Sequence, residues 1–536
     1  MFLNVTMLEK RKEAVTQVTR RCKTEDLIKI LFFSALFGLA RAVFFALMRN
    51  NSLMPEMAVF FRATILCAAF LLLLFLSVQK LQQLRTEPET GLTASKRKKL
   101  FSSRLSFFFL FLFVYTAALM TWFPGTTYYD TLLIYFNRMI MMTQFPPIYC
   151  LWVTLMGDLG RALHWPRLTM ILLSTTQILA ASAMMAQICH WIWKKSLPAW
   201  FKTGAILFCA LTPLYSMYAI TVIKDTLSSL SLVVIVTVLY DMAVENREKD
   251  AGNWYTLALC MAVPPAFRSN GFYIILVLLA VMLFRFRNSR RNVLLLFLEL
   301  IFIRLFEKLL YWRFGVTPFI QEALAIPIQQ LCAVVAWNGN LSAEQAAFIN
   351  ALLPLDTIRE LYNPAYVDQI KWNADFGGGF LAANLPAFFR TWFEVMLNNF
   401  GIYVKAYLLQ TLGFWAPANL GTTVVYTAIE GLHTDYLTAN HLVVTPLWGT
   451  GALQHVLENY YRAARHFPSE GVWIWLMFFC CFFRSLMKKD RQSFLLFSPC
   501  LLCWVTLMLA VPVYTGTRYA LSFYYGIPVF LTLAVL

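Results

Sequence analysis

The chain has 536 residues, of which 59% are hydrophobic and 14% charged, with 47 phenylalanines and a formal charge of +17. A soluble domain is about 45–50% apolar and about 25% charged, so this composition excludes an ordinary soluble enzyme and a disordered chain. Apolar runs of roughly 17–25 residues recur along the length and predict an all-α polytopic membrane protein, without the alternating strands of an outer-membrane barrel.

Residues 1–26 are polar and basic (Lys10, Arg11, Lys12, Arg20, Arg21, Lys23). They lack the short apolar region and cleavage site of a signal peptide and read as a cytoplasmic N-terminus. Apolar segments at 27–48, 57–79 and 105–122 make residues 27–122 the first three transmembrane helices. The connection from Lys80 to Arg104 carries seven Lys and Arg, including Lys96-Arg97-Lys98-Lys99. The positive-inside rule places it in the cytoplasm, so the third helix leaves the membrane at Trp122 on the outer face.

Residues 123–167 form the first large outer loop. Within it, 146–167 is apolar at Ile148–Met156 and then meets Asp158, Arg161, His164 and Arg167. Parity makes this stretch a re-entrant or interfacial helix. A crossing here would move Lys194 and Lys195, Arg247 and Lys249, and Arg285 through Arg291 to the outside, against the charge bias. Residues 168–312 then hold helices four to nine, at 168–193, 203–219, 226–243, 254–267, 271–285 and 293–312.

From residue 313 to 471 no run is long and apolar enough to span securely, and 7 Lys and Arg stand against 11 Asp and Glu. This is the expected extracytoplasmic region, with helical pieces at Leu341–Leu353 and Asn384–Trp415 separated by Gly and Pro. The aromatic face of the second piece (Phe388, Phe389, Trp392, Phe393) suits a membrane interface. Residues 472–536 complete twelve crossings with segments at 472–487, 494–512 and 519–536. The Lys and Arg lie mostly in short loops, where they set topology, so a nucleic-acid partner is not expected. The eleven cysteines show no disulfide framework, and Cys500 and Cys503 read as packing thiols rather than a redox or zinc pair.

Charged residues at membrane depth are costly and mark sites or pathways. In this topology Asp130, Lys224-Asp225, Arg268 with Asn270, and Arg518-Tyr519 all fall at outer helix ends, where they can converge on one cavity. Asp130 is a candidate general base or a solvated loop aspartate. Asp225 is a candidate site residue or an N-cap, with Lys224 beside it as a phosphate contact. Arg268-Ser269-Asn270-Gly271 is either a site or a tight hairpin turn. Arg518 either snorkels to headgroups or grips a phosphate with its guanidinium fork. The six histidines show no paired ligand spacing, and there is no Walker A loop, no GxGxxG and no serine nucleophile elbow.

The order of these features resembles the GT-C superfamily of membrane glycosyltransferases, closest to a largely uncharacterised group of bacterial multi-spanning proteins. The matching pieces are Phe123-Pro124-Gly125 with Asp130, Phe145-Pro146-Pro147, Tyr218 through Asp225, Phe267-Arg268-Ser269-Asn270-Gly271, Ile326-Pro327-Ile328-Gln329-Gln330, and Arg518-Tyr519. The resemblance implies a GT-C-like helical fold and a polyprenyl-phosphate-linked sugar donor, with Asp130 as the base. Gln144-Phe145 stand where many relatives carry His, and a single Asp130 replaces an acidic pair, which leaves a divalent metal ion open.

The leading expectation is therefore hexosyl or pentosyl transfer from a lipid-linked donor to a glycan, lipid or protein acceptor on the outer face of the cell membrane. Asp130 and Asp225 would be catalytic, and Lys224, Arg268, Asn270, Arg518 and Tyr519 would bind phosphate. The alternatives are a transporter or flippase of an amphiphilic anion, with Arg41, Arg304 and Glu307 on its path, and a cell-envelope glycan polymerase or ligase.

Overall fold

The computed structural model describes residues 24–83, 103–137, 145–316, 319–421, 423–429, 434–448, 451–489, 492–511 and 513–536. The basic stretch at 96–99, most of the basic N-terminus, Gln144 and His433 lie outside the described residues. The rest is nearly all helix. Among the described residues the first three helices are α1 (Thr24–Asn50), α2 (Met57–Gln83) and α3 (Arg104–Thr121). Ser103 caps α3 by accepting the Ser106 amide, which fixes where that helix begins. Strand β1 (Thr126–Thr127), α4 (Tyr129–Asn137) and α5 (Pro147–Ala162) follow. Next come α6 (Pro166–Lys194), α7 (Ala199–Leu211), α8 (Pro213–Ile220), β2 (Thr221–Val222), α9 (Lys224–Ala243), α10 (Ala251–Phe267), α11 (Gly271–Arg285) and α12 (Arg290–Phe314).

Among the described residues, eight helices are long and apolar enough to cross a membrane: α1, α2, α3, α6, α9 and the three C-terminal helices α18 (Glu470–Lys488), α19 (Gln492–Ala510) and α20 (Leu521–Val535), the last joined by the turn from Thr517. The pair α7 and α8, bent by 45° where Pro213 interrupts the ladder, makes a ninth if it is one span. The other three expected segments are helices too, but α10 and α11 are only 17 and 15 residues long. The longer α12 carries Arg290, Arg291, Glu299, Arg304, Glu307, Lys308 and Arg313. Eight or nine of the expected twelve segments thus meet the length and composition of a membrane span among the described residues. The ambiguous stretch 146–167 is a 16-residue helix, α5, turned into α6 at His164.

The core forms around α9. It lacks a polar face and is buried along nearly its whole length, as such a helix must be. Helices α6, α10, α19 and α20 pack around it. At one end of α9, Lys195 Nζ lies 2.6 Å from both Asp241 and Glu245. At the same end Arg285 donates to the Ala243 carbonyl at 3.1 Å, and Arg484 lies over the Tyr240 ring. The basic ends of α6, α11 and α18 therefore gather together, opposite the end that holds Lys224 and Asp225.

Residues 320–403 build a second core from Leu331, Val335, Ile349, Ile358, Phe388, Val395 and Tyr403. It contains α13 (Ala325–Ala336), α14 (Ala343–Leu352), α15 (Leu385–Asn398) and α16 (Phe400–Gln410). A reciprocal cap between Ser342 and Gln345 starts α14. This unit is fastened to the Lys224 end: Tyr407 donates to the Met508 carbonyl at 3.1 Å, Gln410 to the Val511 carbonyl at 2.9 Å, and the Tyr514 amide to the Ala365 carbonyl at 3.0 Å. The amphipathic α17 (Ala452–Arg462) closes the same end against α3 and α8. All described cysteines are free and buried, and Cys503 accepts from Ser522, so the Cys500 and Cys503 pair packs rather than bridges.

Candidate functional site

Two short strands set the site. Thr126 and Thr127 pair in parallel with Thr221 and Val222, so the residues just before Asp130 lie against those just before Lys224. Thr127 and Thr131 both donate to the Val222 carbonyl at 2.8 Å. With its proton so used, Thr131 accepts from the Tyr149 hydroxyl, also at 2.8 Å. Gln177 clamps the other strand from α6 by donating to the carbonyls of Tyr218, Ala219 and Thr221. The approach to β1 needs Gly125: its φ is +116°, and a Cβ there would collide with the Ser174 hydroxyl.

The carboxylate of Asp130 consequently sits 3.3 Å from Lys224 Nζ and 3.1 Å from an Arg518 nitrogen. Arg518 donates its other terminal nitrogen to the Tyr519 hydroxyl at 2.8 Å. Its guanidinium lies over the rings of Tyr128 and Tyr519, at 4.9 and 4.8 Å. Lys224 stands over the Phe145 ring at 4.8 Å. One layer further in, Arg268 Nε lies 3.2 Å from Asp225. Arg268 also donates to the Tyr519 carbonyl at 3.4 Å and covers the Tyr519 ring from 5.6 Å. Tyr519 thus joins the two arginines.

Exposure separates the roles. The side chains of Asp130, Lys224 and Arg518 are 20%, 16% and 17% exposed, whereas Asp225 is fully buried, so a ligand reaches the first three and not the last. Asp225 does not N-cap α9: Ile223 holds that position without a side-chain cap, and Asp225 lies inside the first turn facing Arg268. Three cations against two carboxylates leave one positive charge in excess. Burial pushes the Asp130 carboxyl up, but Lys224 and Arg518 outweigh it and hold the group below its ordinary 3.8. Burial also raises the Tyr128 phenol, partly offset by Arg518, so the ring beneath the guanidinium stays neutral.

Of the residues singled out in the sequence, Asp130, Lys224, Asp225, Arg268, Arg518 and Tyr519 come together. Asn270 does not join them: its amide donates to Thr506 at 2.8 Å and ties the hairpin after α10 to α19. The charges suggested for a translocation path are engaged elsewhere. Arg304 pairs with Glu307 at 2.9 Å on its own helix, and Arg41 donates to the Pro417 carbonyl at 2.9 Å. A divalent ion does not fit the site, because both carboxylates already face cations and no group of three or more His, Cys, Asp or Glu suited to a metal occurs among the described residues.

Two contributors escaped the sequence reading. Tyr128 gave no signal beyond lying near Asp130. Glu470 is a lone carboxylate opening an apolar segment, and that position was the available clue. It is buried and accepts from the Thr515 hydroxyl and the Gly516 amide, fixing the turn that carries Arg518.

Residues 136–535 match the family described as Family of unknown function (DUF6020). The chain belongs to this family. The part shared with the DUF6020 family contains Lys224, Asp225, Arg268, Glu470, Arg518 and Tyr519, while Asp130 stands six residues before it. Neither the comparison with curated proteins nor that with solved structures gives a match.

Proposed function

We propose that the chain is a membrane glycosyltransferase of GT-C type that takes a sugar from a polyprenyl-phosphate-linked donor and places it on an acceptor hydroxyl at the outer face of the cell membrane. The observation that carries the reading is one reachable carboxylate shared by two reachable cations, Asp130 between Lys224 and Arg518. The cations suit a phosphate that gains charge as the glycosidic bond breaks, and fixed cations favour that transition state over the ground state.

In the resting arrangement Asp130 is a weak base because two cations hold its charge. A donor phosphate competes for Lys224 and Arg518 and leaves the carboxylate free to take a proton. Asp130 then accepts the proton of the acceptor hydroxyl, whose oxygen attacks the anomeric carbon. The carbon–oxygen bond to phosphate breaks, and the polyprenyl phosphate departs with the electron pair toward Lys224 and Arg518. Asp225 acts one step removed by holding Arg268, which in turn orients Tyr519 and through it Arg518.

The twelve-span topology with a cytoplasmic N-terminus belongs to the same proposal. It is supported by α11, which starts next to the Asp225 end of α9 and finishes at Arg285, bonded to the carbonyl of Ala243 at the other end. The test is direct: purified chain is titrated with a sugar-free polyprenyl phosphate. Binding that weakens at least tenfold in both Lys224→Met and Arg518→Ala supports the reading, and binding unchanged in both removes the phosphate site.

A further inference from the structure

A second feature lies across β1 from Asp130. A cavity of about 320 Å³ is lined by Thr121, Trp122, Thr427, Ile429, Val443 and Glu458, among others. Of the four chain segments that line it, three are held together by backbone bonds. The Thr127 amide donates to the Ala428 carbonyl at 3.2 Å, the Thr445 amide to Phe123 at 2.7 Å, and the Leu447 amide to Met120 at 2.8 Å. The volume is at the lower end of the range for small-molecule pockets, about 300–1,000 Å³.

The lining has a particular chemistry. Trp122 is only 4% exposed, yet its indole N–H has no hydrogen-bond acceptor. Buried donors are almost always paired, so this one would gain an acceptor if the ring turned its edge into the cavity that Trp122 lines. Glu458 lines the same cavity, its carboxylate held by the Gln454 amide at 2.6 Å and flanked at 3.6 Å by Arg462, whose guanidinium lies over the Trp122 ring at 5.2 Å. Thr121 and Thr427 bring polar groups, while Ile429, Val443, Val444 and Pro446 form an apolar wall. A donor, a carboxylate and apolar walls around one small space suit a neutral, hydroxyl-rich ring.

One wall of the cavity is joined to the charged site along the chain. Tyr426 packs its ring 5.1 Å from Tyr128, the residue beneath Arg518, and the next residues in the chain, Thr427 to Ile429, line the cavity. We infer that this cavity is a carbohydrate subsite that seats a sugar ring beside the Asp130 cluster, with the Trp122 N–H and the Glu458 carboxylate as its polar contacts. The identity of the ligand as part of the transferred or accepting glycan rests on the glycosyltransferase reading; the binding itself does not.

The experiment is saturation-transfer difference NMR on the full chain in detergent with a panel of methyl glycosides of common hexoses and pentoses, alongside Trp122→Phe, Glu458→Gln and Thr427→Val. At least one glycoside should bind the wild type, and loss of one neutral or charged hydrogen bond should weaken it about 3- to 10-fold in Trp122→Phe and in Glu458→Gln. Melting temperatures identify any variant that fails to fold, in which case the other two carry the test. No glycoside binding by the wild type, or binding that none of the folded cavity variants alters, overturns the subsite. Glycoside binding that depends on Trp122 and Glu458 in a chain without any sugar transfer upholds the subsite and defeats the enzymatic reading instead.

Discussion

Replacing Asp225 by asparagine leaves the Arg268 guanidinium in its buried position without its ionic partner. The Asp225 side chain is fully buried and that of Arg268 only 11% exposed, so water screens little of the stranded charge. Breaking such a pair by removing one member costs about 3–5 kcal/mol. Arg268 keeps the Tyr519 carbonyl and ring as weaker contacts, at 3.4 and 5.6 Å, which favours the lower part of that range, about 3 kcal/mol. Removing both charges in Asp225→Asn/Arg268→Met relieves the stranded ion, so the double variant should be more stable than the sum of the single losses by about 2–3 kcal/mol. The assay is equilibrium unfolding of the purified full chain in detergent micelles for wild type, both single variants and the double. If the single effects add to the double within about 0.5 kcal/mol, Asp225 and Arg268 do not act as a pair, and the positioning role given to Asp225 fails.

Arg518→Lys keeps the charge but loses the two-pronged geometry, so polyprenyl phosphate should bind several-fold more weakly, and Arg518→Ala should cost about 2 kcal/mol of binding. Calorimetric titration reads both, and a melting temperature lowered with unchanged affinity would assign Arg518 to headgroup anchoring instead. Glu470→Ala leaves the Gly516 amide and Thr515 hydroxyl without their acceptor, at about 1–3 kcal/mol for each group, while Glu470→Gln retains an acceptor oxygen and should lose less. Unfolding of the two variants orders them. The Asp130 carboxyl is held below its ordinary 3.8, so its contribution to stability is fully present above that value and is lost as pH falls through the lower folded value. Unfolding free energies measured below about pH 4 should fall more steeply in wild type than in Asp130→Asn.

Which helix ends lie together was legible in the sequence, because basic connections and polar helix ends alternate along the chain. That alternation is why Asp130, Lys224, Asp225, Arg268, Arg518 and Tyr519 could be grouped although almost 400 residues separate the first from the last. Partner choice was not legible. Asp225 resembles an N-cap in sequence, and only the approach of the turn after α10 makes it the partner of Arg268. Asn270 belongs to the same turn, yet its amide reaches α19, a neighbour that no local pattern reveals. The Trp122 cavity depends on helices and loops brought together from residues 121, 427, 443 and 458, a tertiary arrangement without a sequence motif. Span number was blurred by α10, α11 and α12, whose length or charge falls outside the usual limits of a membrane helix.

The central claim is that Asp130 takes the proton from an acceptor hydroxyl while Lys224 and Arg518 hold the leaving phosphate. It is tested most directly by sugar transfer in membranes enriched with polyprenyl-linked donor, comparing wild type with Asp130→Asn at equal folded protein. General-base assistance is worth about 10²–10⁴-fold, and the account predicts a loss of that size with the helical fold retained. Transfer within about threefold of wild type would contradict it.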